Sequence, residues 1–138
     1  MLKAKDIMTK QVISVRKDAP VLEAVELLWK NDITGIPVVE DDMTLVGVLT
    51  EKDLIRLLYA DEDLRNKTVS SFMTQPAVHF DENEALPDVC ECLMNYFLRR
   101  VPVTSKGKVV GIISRADIIG CIIRQWQGNT IEAAGLRK

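Results

Sequence analysis

Apolar side chains along this chain switch repeatedly between a helical and an extended rhythm. Val21, Ala24, Val25 and Leu28 stand at i, i+3, i+4 and i+7 and form one apolar helix face. Pro20 opens that helix, where its missing N–H is harmless. Ahead of it, Gln11–Val15 is a short β-prone stretch. After it, Ile36–Val39 and Leu45–Leu49 are rich in β-branched residues and flank Glu40-Asp41-Asp42-Met43-Thr44, which predicts a hairpin. Leu54, Leu57 and Leu58 then predict a closing helix. The same succession follows once more. Ala77–Phe80 is β-prone, and Leu86, Val89, Cys90, Leu93 and Phe97 line a helix. Val101–Thr104 and Val109–Ile113 flank Ser105-Lys106-Gly107-Lys108, where Gly107 can take a positive φ. Ile118, Ile119, Ile122, Ile123 and Trp126 predict the last helix, with Gly128-Asn129 as its stop. The expected fold class is α+β, built as two pseudo-symmetric β-α-β-β-α repeats.

Sliding the chain against itself supports the duplication. At an offset of 65, Met8-Thr9 falls on Met73-Thr74, Glu26 on Glu91, Leu28 on Leu93 and Pro37-Val38 on Pro102-Val103. After one residue is dropped in the first hairpin turn, the offset becomes 64. Val46-Gly47 then matches Val110-Gly111, Asp53 matches Asp117 and Ile55 matches Ile119. The repeats divide the sequence into residues 1–65 and 66–127, with a tail at 128–138 that matches neither. At about 60 residues each copy would be marginal alone. The helices of the two sheets are therefore expected to pack together about a pseudo-two-fold axis.

Composition narrows the function. The 138 residues are 47% hydrophobic, which argues against disorder, and the net charge is −2. That balance, with no basic stripe, argues against a nucleic-acid binder. No apolar run reaches the roughly 18 residues of a membrane span. The start, Met1–Asp6, lacks the apolar stretch of a signal peptide, so a soluble cytoplasmic protein is expected. Cys90, Cys92 and Cys121 form neither a disulfide framework nor a tetrahedral zinc set, and read as helix packing. His79 is the sole histidine and has no nucleophile in register. Asp41 and Asp42 sit at a turn, where aspartate bonds locally, although paired carboxylates there could also hold Mg²⁺ through nucleotide phosphates. Trp29 and Trp126 are expected to pack. No catalytic constellation and no obligatory cofactor emerges.

The strongest local pattern occurs twice. Gly47-Val48-Leu49-Thr50-Glu51-Lys52-Asp53 and Gly111-Ile112-Ile113-Ser114-Arg115-Ala116-Asp117 each read glycine, two apolar residues, then [S/T]-x-x-D. The plain reading is a helix capping box. The alternative adds to the cap: a hydroxyl and a carboxylate at a strand-to-helix corner, where free N–H groups favour anions and an acid can accept from ribose hydroxyls. Just before each hairpin, Thr34-Gly35-Ile36-Pro37 corresponds to Arg99-Arg100-Val101-Pro102. Two arginines there could reach a polyphosphate, or simply complement a helix end. The first copy has no such cation, so any phosphate site is asymmetric.

Taken in order and twice over, these motifs resemble the tandem cystathionine β-synthase (CBS) domain pair, or Bateman module. The resemblance runs from Lys5 to Ile123 and includes Asp6-Ile7-Met8-Thr9 and Ser71-Phe72-Met73-Thr74 at the copy starts. It implies a regulatory module rather than an enzyme. Such pairs bind adenosine-containing ligands (AMP, ADP, ATP, S-adenosylmethionine, sometimes NAD) in clefts between the repeats. Carried over by position, Thr50 with Asp53 and Ser114 with Asp117 contact phosphate and ribose, and Val48 and Ile112 line the adenine pocket. Val12 and Ile13, within Lys10–Ile13, and Ala77 and Val78, within Gln75–Val78, supply backbone contacts to the base edge. Ile36-Pro37 and Val101-Pro102 complete the walls, and Arg99 or Arg100 supplies the basic position. The resemblance further implies a homodimer through the helices, consistent with surplus apolar residues such as Leu57, Leu58, Ile122 and Ile123. A regulated enzyme or transporter would read the conformational change. The competing expectation is a ligand-free structural or interaction module whose [S/T]-x-x-D motifs are caps only.

Overall fold

The computed structural model describes residues 1–95 and 99–128. In chain order the elements are α1 (Ala4–Ile7), β1 (Val15–Arg16), α2 (Val21–Asn31), β2 (Gly35–Val39), β3 (Leu45–Thr50), α3 (Glu51–Leu54), α4 (Glu62–Arg65), β4 (Phe80–Asp81), α5 (Leu86–Asn95), β5 (Arg100–Ser105), β6 (Lys108–Ser114) and α6 (Arg115–Trp126). Single 3₁₀ turns run over Ile55–Tyr59 and Val69–Ser71. The expected strand-helix-strand-strand-helix order is present twice, confirming the α+β class. Phe97 and the tail from Asn129 onward lie outside the described residues.

Each repeat makes one three-stranded sheet. β1 pairs parallel with β2, which pairs antiparallel with β3; β4, β5 and β6 repeat the arrangement. Both hairpins carry a register irregularity at matching places, Val38/Val39 and Val103/Thr104. The second hairpin turns on Lys106 (φ 53°) and Gly107 (φ 82°). Two consecutive positive φ values suit the right-handed twist of the flanking strands. In the first, longer turn Met43 carries the positive φ, and Asp42 Oδ1 accepts from the Thr44 amide (3.1 Å) and hydroxyl (2.7 Å).

Several elements depart from the sequence expectation. The β-prone stretches Gln11–Val15 and Ala77–Phe80 become strand only at Val15 and Phe80, where partners in β2 and β5 begin. The helix expected across Leu54, Leu57 and Leu58 is α-helical only to Leu54 and then tightens to 3₁₀. Its inward residues explain this: Leu54 and Ala60 are buried and Leu57 is half-buried, a spacing of three that matches three residues per turn. Trp29 and Trp126 do not pack; they are 88% and 87% exposed. In α2 the inward face is Val21, Ala24 and Leu28, and in α6 it is Asp117, Cys121 and Arg124, so both indoles fall off it.

Packing divides the chain differently from sequence repetition. One compact unit is residues 13–77; the other joins residues 1–12 to residues from 78 onward. The core of the central unit contains Val15, Val21, Ala24, Leu28, Ile36, Val38, Leu49 and Leu54, and also Val69 and Phe72 from the start of the second repeat. The core of the discontinuous unit contains Leu86, Val89, Leu93, Val101, Val103, Ile113 and Cys121, and also Ala4 and Ile7 from the start of the first. The lead-in segment of each repeat thus fills the core of the other repeat's sheet. The backbone joins in as well. In the discontinuous unit the amides of Ala4 and Leu86 donate to Glu84 and Leu2 carbonyls. In the central unit Val69 donates to Ala19 and Val21 to Lys67.

Candidate functional site

The duplicated G-h-h-[S/T]-x-x-D motif runs off the last strand of each sheet into the following helix. β3 delivers Thr50 and β6 delivers Ser114 to the N-cap positions of α3 and α6. Asp117 Oδ2 accepts from the Ser114 amide (2.8 Å) and hydroxyl (3.1 Å), while Ser114 Oγ accepts from the Asp117 amide (3.4 Å). Asp53 Oδ2 likewise accepts from the Thr50 amide (2.9 Å) and hydroxyl (3.2 Å). Both capping boxes are therefore formed. The reciprocal bonds satisfy first-turn donors that would otherwise lack a partner.

The other carboxylate oxygen is engaged from an unexpected direction. Thr9 Oγ1 donates to Asp117 Oδ1 at 3.0 Å, and Thr74 Oγ1 donates to Asp53 Oδ1 at 3.0 Å. These threonines belong to the exchanged lead-in segments. Each segment adds an antiparallel bridge to the last strand: Thr9 and Ile112 trade amide-to-carbonyl bonds (2.8 and 2.9 Å), as do Val48 and Thr74 (3.0 and 2.8 Å). The methionine before each threonine covers the motif's glycine. A Cβ at position 47 would stand 2.8 Å from the Thr74 carbonyl and 2.9 Å from Met73 Sδ; one at 111 would overlap the Met8 thioether and lie 2.7 Å from its Cγ. The Met-Thr pair was visible as a repeat hallmark, but its role was not, because its partner lies in the other repeat's strand and helix.

The hairpin register gathers further predicted residues at each corner. Pro37 lies opposite Val48, and Gly35 opposite Thr50. In the other unit Pro102 lies opposite Ile112, and Arg100 opposite Ser114. The Arg115 amide donates to the Arg99 carbonyl, as the Glu51 amide does to Thr34. The two arginines thus flank the Ser114 corner, where the central unit has Thr34 and Gly35. Val48, Ile112, Thr50, Ser114 and Asp53 are half-buried, and Asp117 is 4% exposed. Ile36, Pro37, Val101 and Pro102 are buried, Ile36 and Val101 within the two cores. Val12 and Ile13, and Ala77 and Val78, stand at the two points where the chain leaves one unit for the other.

Other candidate chemistry is spent on structure. Asp41 pairs with Arg16 (3.1 Å) and Glu40 with Lys17 (3.5 Å), at the rim of a depression of about 230 Å³ that Asp18 and Asp42 also line. No cluster of metal-ligating side chains occurs among the described residues. All three cysteines are free thiols. Burial pushes Cys90 and Cys92 above the ordinary thiol range, and neighbouring Cys121 adds to this at Cys90, so neither is an activated nucleophile. No helix among the described residues is long and apolar enough to cross a membrane.

Comparison with known proteins fits this architecture. The protein MJ1225 of Methanocaldococcus jannaschii is 31% identical over 97% of this chain, which spans 48% of that protein's length. The structure of CBSX2 from Arabidopsis thaliana in complex with AMP is 30% identical, with a TM-score of 0.80 over 90% of this chain and 98% of that one. The CBS domain pair of MJ0100, solved with 5′-methylthioadenosine and S-adenosylmethionine, is 29% identical with a TM-score of 0.72, covering 88% and 99% of the two chains. The CBS domain pattern itself matches residues 4–60 and 69–124, so the chain belongs to the CBS domain family and carries two of its domains in tandem.

Proposed function

We propose that this CBS pair is a cytoplasmic regulatory module, not an enzyme, that binds an adenosine-containing ligand and passes its occupancy to a partner protein. The observation that carries the reading is the repeated corner: a hydroxyl, a carboxylate and a strand edge assembled identically in both units. Asp53 and Asp117 take the ribose, Thr50 and Ser114 face the first phosphate, and Val48 and Ile112 lie against adenine. The backbone of Val12, Ile13, Ala77 and Val78 meets the base edge, with Ile36-Pro37 and Val101-Pro102 behind. Arg99 and Arg100 give the Ser114 corner a fork of donors for further phosphates, which the Thr34-Gly35 corner lacks. Relatives solved with AMP and with S-adenosylmethionine support the ligand class.

Titration calorimetry with AMP, ADP, ATP, S-adenosylmethionine and NAD tests this. At least one is expected to bind, and Asp117→Ala to weaken binding at its corner more than tenfold without loss of fold. Absence of heat from all five at millimolar concentration overturns the reading. A second reading, a ligand-free interaction module, is favoured by one observation: both carboxylates are already satisfied by their own chain. Thermal melts separate the two, since a ligand that binds only the folded state raises the midpoint.

A further inference from the structure

We propose that Thr9 and Thr74 occupy the place of a ligand sugar hydroxyl, so that a nucleotide takes each aspartate only by displacing a hydroxyl of the chain itself; this rests on the nucleotide reading above. Asp117 is 4% exposed although it is the residue that would grip ribose. Its Oδ2 serves the cap, and its Oδ1 accepts from Thr9, an exposed side chain. Threonine carries a secondary alcohol, the same donor as a ribose 2′- or 3′-hydroxyl. The exchange therefore replaces one charge-assisted hydrogen bond with another of the same kind. Thr74 repeats the arrangement on Asp53 at the same 3.0 Å. Both threonines are exposed, so a released hydroxyl passes to water at little cost. Each also stands three residues before the chain leaves its unit, at 12–13 and 77–78. Sugar binding is thereby felt first at the segment that leads into the other unit.

Removing the competing hydroxyl should help ribose and nothing else. The variant Thr9→Ala/Thr74→Ala acts on both corners, so the result is independent of which one is loaded. Calorimetry compares AMP with 2′,3′-dideoxy-AMP, whose sugar has no hydroxyl to exchange. The variant is expected to bind AMP roughly tenfold more tightly than the parent, with the dideoxy nucleotide unchanged. Thr9→Ser/Thr74→Ser, which keeps the donor, should behave as the parent. Unchanged or weaker AMP binding in the alanine variant overturns the proposal. So does an equal gain for both nucleotides, which would mean general loosening. A parent protein with no affinity for AMP instead sinks the AMP reading of these corners, a result distinct from an AMP-binding parent whose threonines do not matter.

Discussion

Gly47 and Gly111 show how much of each corner depends on a missing side chain. Neither has a positive φ; what each supplies is room for the crossing Met-Thr segment. At position 47 the nearest obstacle is the backbone carbonyl of Thr74, which a rotamer change cannot relieve. Gly47→Ala should therefore destabilise the protein by about 2 kcal/mol, the scale of overpacking a filled site. It should also tighten AMP binding at that corner, because the displaced segment carries Thr74, whose hydroxyl holds Asp53. Urea denaturation checks the first effect, and an unchanged midpoint would show that the segment moves freely. At this scale the sequence was partly legible. The hydroxyl and acid of each motif are three residues apart, and the local spacing alone predicts the capping box. Thr9 and Asp117 are 108 residues apart, and no local pattern links them.

At the level of elements, hairpins were easier to read than helices. Strand runs such as Ile36–Val39 and Leu45–Leu49 are extended by only a residue or so at their ends, since β-branched runs bounded by turn residues leave few alternatives. Helix patterns were less secure because apolar residues serve two purposes. In α6 the inward positions are Asp117, Cys121 and Arg124, while Ile119, Ile122, Ile123 and Trp126, at i, i+3, i+4 and i+7, are 56%, 41%, 50% and 87% exposed. Ile55, Leu58 and Tyr59 form a similar exposed run in the first repeat. Such exposed apolar stripes need cover, and a second copy of the chain is the occupant that the homodimer reading supplies. Ile123→Glu would place a charge in that stripe without touching the α6 core face. Sedimentation is expected to show a dimer for the parent and a monomer for the variant at micromolar concentration. A monomeric parent removes this reading.

For the whole molecule, duplication and folding follow different boundaries. A sequence repeat spanning 1–65 has its own sheet but lacks Val69 and Phe72, 0% and 5% exposed in the central core. It also carries Ala4 and Ile7, whose burial site belongs to the other sheet. The segment 13–77 has the same length and keeps every member of its core. Losing a buried Phe alone costs about 3–5 kcal/mol, comparable to the whole stability of a domain this small. Two excised fragments of equal length should therefore behave oppositely. Residues 13–77 are expected to unfold cooperatively with heat and to show dispersed amide resonances. Residues 1–65 are expected to show neither, until a peptide of residues 66–77 is added. Cooperative unfolding of 1–65 alone, with 13–77 no more stable, would mean that the exchanged segments decorate two self-sufficient repeats. The opposite outcome would make the exchange the reason two marginal halves persist as one protein, with each Met-Thr segment holding together a core that its own repeat does not contain.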